Sequence, residues 1–198
     1  MSYSEFSFSE VIEKFSLTTE EQMGIFADVP ELEPSPFLKQ ALTNYFPFLR
    51  PSDNEKIRSE ALIFPLLADL RTLLSQPINL FSGIDFNVDA NLGLNGYCDF
   101  LITQSKEALI VKRPVIIVVE AKKEDINGGL GQCIAEMVAA QIFNRKHGEE
   151  RTIYGTVTTG TNWVFLKLDD ETVAIDLAEY SISNPAKILG ILATAAKI

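Results

Sequence analysis

The chain has 198 residues, 46% hydrophobic and 22% charged, and its 27 acidic against 17 basic residues give a net charge of −10. This length and composition predict one globular domain with a sizeable core and exclude a disordered chain. The acidity argues against a protein that binds nucleic acid unaided through a basic surface.

No membrane-spanning or secretory segment is expected. The apolar runs, such as residues 115–119, are far shorter than the roughly 20 residues needed to cross a bilayer. The first residues lack a basic region followed by an apolar one. We therefore expect a cytoplasmic protein without membrane contact.

The N-terminal third of the chain is expected to be helical. Residues 5–28 predict one or two short amphipathic helices. Residues 36–45 predict another helix, which ends before Pro47 because the residue ahead of a proline avoids the α region. A longer helix is expected over residues 52–74, with a kink at Pro65.

The charge is unevenly distributed along the chain. Residues 1–98 carry a net charge of −8, residues 99–167 carry +1 and the remainder carries −3. Residues 1–35 alone contain eight acidic residues and one basic residue. We interpret residues 1–50 as an acidic helical appendage to one α/β domain at residues 51–198.

From residue 78 the helical pattern gives way to strands and helices in alternation. Strand periodicity and helix signals predict strands over 78–88, 96–103 and 114–122, a helix over 131–146, strands over 152–158, 162–168 and 171–177, and a helix over 185–197. Turns are expected at 89–93 and 169–170, and the central helix should end at His147 and Gly148. This order predicts an α/β fold with a mixed central sheet flanked by helices.

Residues for zinc sites and disulfides are scarce. Cys98 and Cys133 lie 35 positions apart, and both are expected to be buried free thiols. His147 is the single histidine, which excludes zinc sites that need several histidines or a Cys/His cluster. The P-loop motif for phosphate binding is also missing, so any metal ion must be held by oxygen atoms.

Three ionisable residues are expected to form one patch. Glu120 and Lys122 are two positions apart on a strand, so their side chains leave the same face. Asp99 lies within the preceding predicted strand. The apolar run at 115–119 indicates a central strand, where an unpaired buried carboxylate is costly and requires a cation.

Two carboxylates on adjacent strands are a suitable ligand set for Mg²⁺, with Mn²⁺ as a substitute. A neighbouring lysine can position the attacking water and stabilise charge that grows on a phosphate. Glu60 on the preceding helix and Gln132 on the following helix could also point inward, although an exposed helix face explains either residue as well. Glu136 lies one turn beyond Gln132 on the same face.

This pattern resembles that of the PD-(D/E)xK, or restriction-endonuclease-like, nuclease superfamily. It consists of Asp99, an interval of 20 residues, Glu120-x-Lys122 and a following helix with Gln132. Residues 96–166 look most like the nuclease segment of type I restriction enzymes. The similarity covers about residues 53–178. Nearly the whole chain is also similar to a set of cyanobacterial proteins of uncharacterised function. Cys98 stands where many members of the superfamily have proline.

The resemblance implies an α-β-β-β-α-β core and a Mg²⁺-dependent endonuclease that hydrolyses DNA. By this resemblance, the metal ion would be bound by Asp99, Glu120, the carbonyl of Ala121 and, as an auxiliary, Glu60. Lys122 would activate the water. Gln132 would have an auxiliary catalytic role. The chain has no recognisable DNA-reading segment. DNA is therefore expected to be reached through a partner protein or an oligomer such as a homodimer.

Two other interpretations remain open at this point. The net charge of −10 also suits a catalytically silent nuclease-like module for binding or assembly, and the acidic residues 1–35 could shield the active face. Gly129-x-Gly131 suggests a dinucleotide-binding turn, but Ile134 replaces its third glycine. We interpret these glycines instead as positions where a helix and a strand pack closely.

Overall fold

The computed structural model describes residues 1–49, 55–146 and 148–196, with the side chain of Phe48 left out. The α-helices of this part of the chain are α1 (Phe8–Lys14), α2 (Pro36–Tyr45), α3 (Glu55–Arg58), α4 (Phe64–Leu73), α5 (Ile126–Arg145) and α6 (Pro185–Ala195). The strands are β1 (Thr18–Gln22), β2 (Asn79–Asp85), β3 (Tyr97–Thr103), β4 (Val115–Ala121), β5 (Ile153–Thr158), β6 (Asn162–Asp169), β7 (Thr172–Asp176) and β8 (Tyr180–Ser181). A π-helical turn, Ser59–Ile63, joins α3 to α4.

These strands form one mixed sheet in the order β1-β7-β6-β5-β4-β3-β2, with β8 paired to β6. The β1–β7 and β4–β5 pairs are parallel, and the other pairs are antiparallel. The predicted α/β class and mixed sheet are confirmed. Every residue of β4 is buried, as expected for a central strand covered on both faces.

The core has two parts, one on each face of the sheet. On one face, α5 and the N-terminal residues pack against the strands and bury side chains such as Val118 and Met137. On the other face, α4 and α6 cover residues such as Trp163 and Phe165. Both aromatic residues are almost fully buried, so they contribute to the core.

The N-terminal segment differs from the expected helical appendage. Helix α2 forms as expected, but within residues 5–28 the α-helix is limited to α1. After α1, Ser16 adopts a positive φ of 52°, and Thr18–Gln22 forms β1, the edge strand beside β7. Tyr3 and Phe6 are buried in the core on the α5 face. The edge of β7 offers backbone hydrogen-bond partners to an added strand, and the β-branched threonines suit a strand. The segment is therefore part of the sheet and the core.

A buried carboxylate fastens this segment to β7. Asp176 accepts hydrogen bonds from the backbone N–H groups of Gly24 (2.7 Å) and Phe26 (3.1 Å) and from the Tyr180 hydroxyl (2.8 Å). It also accepts the backbone N–H of Ala178 at 2.9 Å. Because the carboxylate gains four donors, its burial is compensated.

Helix α5 begins at Ile126, five residues before the expected start at residue 131. Asp125 caps it by accepting the Gly128 N–H at 2.9 Å, so the glycine-rich stretch lies within the first turns. A Cβ at Gly129 would lie 2.6 Å from Cγ1 of Val157, and one at Gly131 would lie 2.3 Å from the Phe6 carbonyl oxygen. Gly129 thus packs against strand β5, as expected, whereas Gly131 packs against the N-terminal segment and not against a strand.

Some expected boundaries lie outside the described residues. These are the start of the 52–74 helix, the helix end at His147, the end of the last helix at residue 197 and the domain boundary between residues 50 and 51. The expected kink at Pro65 corresponds to the π-helical turn immediately before it. Proline has no N–H to donate to the preceding turn, which favours such an irregularity.

The state of the cysteines and the lengths of the helices are as the sequence predicts. Cys98 and Cys133 are both buried free thiols, as expected. Within the ranges that the structure describes, the helices are too short or too polar to cross a bilayer.

Candidate active site

Strands β3 and β4, two inner strands of the sheet, bring two carboxylates together near one end of the pair. The antiparallel register pairs Phe100 with Val119, so the next residues along the two strands, Asp99 and Glu120, are neighbours. The backbone N–H of Ala121 donates to Oδ2 of Asp99 at 2.8 Å. The Glu120 side chain is only 2% exposed, so it lies at the floor of the site.

Lys122 supplies the cation that a buried carboxylate requires. Its Nζ atom lies 2.6 Å from Oε1 of Glu120, and its side chain remains 27% exposed. The backbone N–H of Lys122 donates to the Thr158 carbonyl at 2.8 Å, which continues the pairing of β4 with β5. The structure thus places Asp99, Glu120 and Lys122 in one patch.

Gln132 joins this patch from helix α5. Its Oε1 accepts a hydrogen bond from Lys122 Nζ at 3.1 Å, and its Nε2 donates to Oε2 of Glu120 at 2.8 Å. The same Nε2 donates to Oε1 of Glu136 at 3.1 Å. The amide therefore holds the lysine on one side and two carboxyl groups on the other.

Glu136 lies behind the patch and is fully buried. Its Oε2 atom has no hydrogen-bond partner among the residues that the structure describes. Burial, together with the charge of Glu120, raises the pKa of Glu136 well above its ordinary value. A buried carboxyl in these surroundings is most stable in its neutral, protonated form.

The carboxyl groups of the patch also resist ionisation. Burial and the neighbouring Asp99 raise the pKa of Glu120 to about 8, although Lys122 acts in the opposite direction. Burial raises the pKa of Asp99 in spite of the Ala121 hydrogen bond. Burial alone would lower the pKa of Lys122, but Glu120, Glu55 and Asp99 outweigh it and raise the value. The patch thus has more carboxyl groups than cations.

The helix before the sheet contributes a carboxylate, but from a position that differs from the expectation. Glu60 is 67% exposed and forms an ion pair with Lys56 at 3.5 Å. Glu55 instead lines the cleft, and burial and Asp99 raise its pKa. The structure thus brings Glu55, and not the expected Glu60, to the cleft.

The patch forms the floor of a cleft of about 440 Å³. Its lining residues are Ser2, Tyr3, Ser4, Glu55, Gly96, Tyr97, Asp99, Glu120, Lys122 and Gln132. Tyr3 fixes one wall, because its hydroxyl donates to the Phe86 carbonyl at 2.6 Å and its N–H donates to the Asn95 carbonyl at 3.1 Å. Sequence patterns gave no sign of this wall, since it depends on how the N-terminus folds back.

The described side chains provide no cluster of three or more His, Cys, Asp or Glu residues arranged to hold a metal ion. Asp99 and Glu120 are the two carboxyl groups that adjacent strands bring together. A comparison of the chain with protein-family models and with curated proteins gave no match.

Proposed function

We propose that this protein hydrolyses phosphodiester bonds in DNA and uses Mg²⁺ to do so. The proposal rests on one observation: Asp99 and Glu120 lie side by side at the end of two adjacent strands, with Lys122 Nζ 2.6 Å from Glu120. The succession of α4, β2, β3, β4, α5 and β5 also matches the α-β-β-β-α-β order of a restriction-endonuclease-like core, which supports the proposal.

The donor atoms of the patch are suited to Mg²⁺. This ion takes oxygen ligands, and one or two carboxylates are sufficient because water and substrate phosphate complete its shell. Asp99, Glu120 and the carbonyl of Ala121 would hold it. Burial raises the pKa of both acids, and the charge of Asp99 raises that of Glu120 further. A divalent cation would favour the charged form of both groups. When bound, Mg²⁺ supplies Lewis acidity to a phosphoryl oxygen and lowers the pKa of coordinated water.

The protein side chains have separate roles in this proposal. Lys122 is exposed enough to contact a phosphate, so its ammonium group would orient the attacking water and stabilise charge that grows on the phosphoryl oxygens. Gln132 holds Lys122 through Oε1 and Glu120 through Nε2. This bridge fixes the lysine beside the carboxylate before a substrate arrives.

A calorimetric titration with Mn²⁺ tests the carboxylate site without any assumption about substrate. We expect the wild type to bind Mn²⁺ and the Asp99→Asn/Glu120→Gln double variant to lose binding, since both substitutions keep the shape and remove the charge. Glu13→Gln, on the exposed side of α1, is the matched control and should bind as the wild type does. Equal binding by the wild type and the double variant would refute the site.

Cleavage is tested on labelled DNA in Mg²⁺ or Mn²⁺, with chelator as the blank. We expect cuts that require the metal and disappear in the double variant. The alternative is a catalytically silent module, for which the wall of Ser2–Ser4 over the cleft and the net charge of −10 are the favouring observations. Absence of both Mn²⁺ binding and cleavage, even with DNA present, would establish that alternative.

A further inference from the structure

The dimensions of the cleft limit what can reach the carboxylates. Its volume of about 440 Å³ is near the lower end of the range, roughly 300 to 1,000 Å³, of pockets that hold one small molecule. Glu120 is almost fully buried at the floor, so a phosphate must enter the cleft to approach it. One nucleotide unit is of a size that such a cleft can hold.

The wall that narrows the cleft is firmly attached. Ser2 and Ser4 line it on either side of Tyr3, which is buried in the core on the α5 face. Gly96, at a φ of 134°, lies beside the ring, and a Cβ added there would be in ordinary contact with Cδ2 of Tyr3 at 3.4 Å. These contacts and the two Tyr3 hydrogen bonds hold the wall in place.

Tyr97 presents an aromatic surface at the mouth of the same cleft. It stands two positions before Asp99 and lines the cleft, yet it is 65% exposed. Most tyrosines bury much of their ring, so this exposure leaves a face free for a ligand. Base stacking on aromatic side chains supports binding of single strands and tolerates any sequence, because every base has a π-face.

The charges that line the cleft favour stacking over phosphate contacts. Lys122 contributes one cation, which also pairs with Glu120, while Glu55 and Asp99 add two acidic groups to the lining. Binding of a duplex depends strongly on cations that neutralise its phosphates. The uncharged ring of Tyr97 can add affinity for a base without any cation.

We infer that the substrate enters as a single strand, with a base next to the scissile phosphate stacked on Tyr97. This inference rests on the proposed phosphodiesterase function and names the form of nucleic acid that the site accepts. Tyr97 is a binding residue in this account. Its loss should raise KM and leave kcat nearly unchanged, because stacking is equally strong before and during the reaction.

The test measures steady-state cleavage of one labelled DNA strand, alone and annealed to its complement, with Mn²⁺. The variants are Tyr97→Ala, Tyr97→Phe and, as an exposed aromatic control on α2, Tyr45→Ala. We expect the single strand to be preferred and Tyr97→Ala to raise its KM by about tenfold. Tyr97→Phe keeps the ring and should recover most of the KM effect of Tyr97→Ala. Tyr45→Ala, outside the cleft, should behave as the wild type.

A strand with one abasic unit beside the cut completes the test. Without a base to stack, the wild type and Tyr97→Ala should have the same KM on that strand. Cleavage of the duplex as fast as the single strand, or an unchanged KM for Tyr97→Ala, would refute the inference while the phosphodiesterase proposal stands. Failure of the wild type to cleave either form would refute both.

Discussion

Lys122 and Glu120 form an ion pair in which the lysine is accessible and the acid is not. A buried carboxylate without a partner is destabilised, so the lysine stabilises this end of the two strands. Because the ammonium group faces the cleft, the same residue can contact a substrate. Structure and proposed catalysis thus depend on one contact.

Replacement of Lys122 by methionine separates these two roles. We expect cleavage to fall by about 100-fold or more, the range found when a positioned acid–base group is removed. Mn²⁺ binding should persist, since the carboxylates remain. Cleavage assays and calorimetry on the same protein measure both quantities, and Lys123→Met, at the exposed neighbour, is the matched control. Unreduced cleavage by Lys122→Met would remove the lysine from the mechanism.

The raised pKa of Glu120 predicts a pH dependence of stability in the absence of metal. Its value rises from the ordinary 4.5 to about 8 on folding, so between these pH values the folded protein holds a proton that the unfolded chain releases. The contribution is complete below pH 4.5 and is lost as pH rises through 8, by at most about 1.4 kcal/mol per pH unit.

Urea unfolding in chelator from pH 5 to 9 measures this contribution. Glu120→Gln is neutral at every pH and keeps an oxygen for Lys122. The free energy of unfolding of the wild type should therefore decrease relative to that of the variant as pH rises. Parallel curves for the two proteins would show that Glu120 does not titrate in this range.

The two glutamates of the preceding helix should behave differently. Glu55→Gln removes a negative charge from the cleft and is expected to weaken Mn²⁺ binding by about fivefold, the effect of roughly 1 kcal/mol of electrostatic attraction. Glu60→Gln should change it by less than about twofold, because exposed ion pairs contribute little. Calorimetric titration of each variant with Mn²⁺ measures both effects. A larger loss of Mn²⁺ affinity in Glu60→Gln than in Glu55→Gln would show that Glu60 is the auxiliary ligand.

The sequence predicts Asp99, Glu120 and Lys122 as one patch because strand periodicity is local and strong in an apolar segment. It does not distinguish Glu55 from Glu60, since the π-helical turn that follows α3 interrupts the helical period by which a face is read. The wall of Ser2–Ser4 also could not be predicted, because it depends on contacts with residues more than 80 positions away.

Strand β1 is the main part of the sheet that differs from the sequence prediction. Strands β2 to β7 are predicted near their observed positions, from alternation or, for β4, from a continuous apolar run, whereas the two-residue strand β8 is not predicted. Strand β1 is short, acidic and located at an edge, and its partner β7 lies about 150 residues later. Such a strand forms because its partner offers hydrogen bonds, and local propensity carries no information about that partner.

Gly131 provides a test of the close contact between α5 and the N-terminal segment. Alanine is the better helix former by about 1 kcal/mol, so helix propensity alone predicts that Gly131→Ala stabilises the protein. The new Cβ would lie 2.3 Å from the Phe6 carbonyl oxygen, and the segment would have to move. We therefore expect a net loss of about 2 kcal/mol in the free energy of unfolding, as for other overpacked sites.

Asn127→Ala, at an exposed position in the first turn of the same helix, is the control for propensity and should not destabilise the protein. Urea unfolding at one pH compares the two variants with the wild type. If the segment moves, the wall of Ser2–Ser4 moves with it, so Gly131→Ala should also alter cleavage while Asn127→Ala does not. A Gly131→Ala protein as stable as the wild type would contradict the observed packing of the N-terminus on α5.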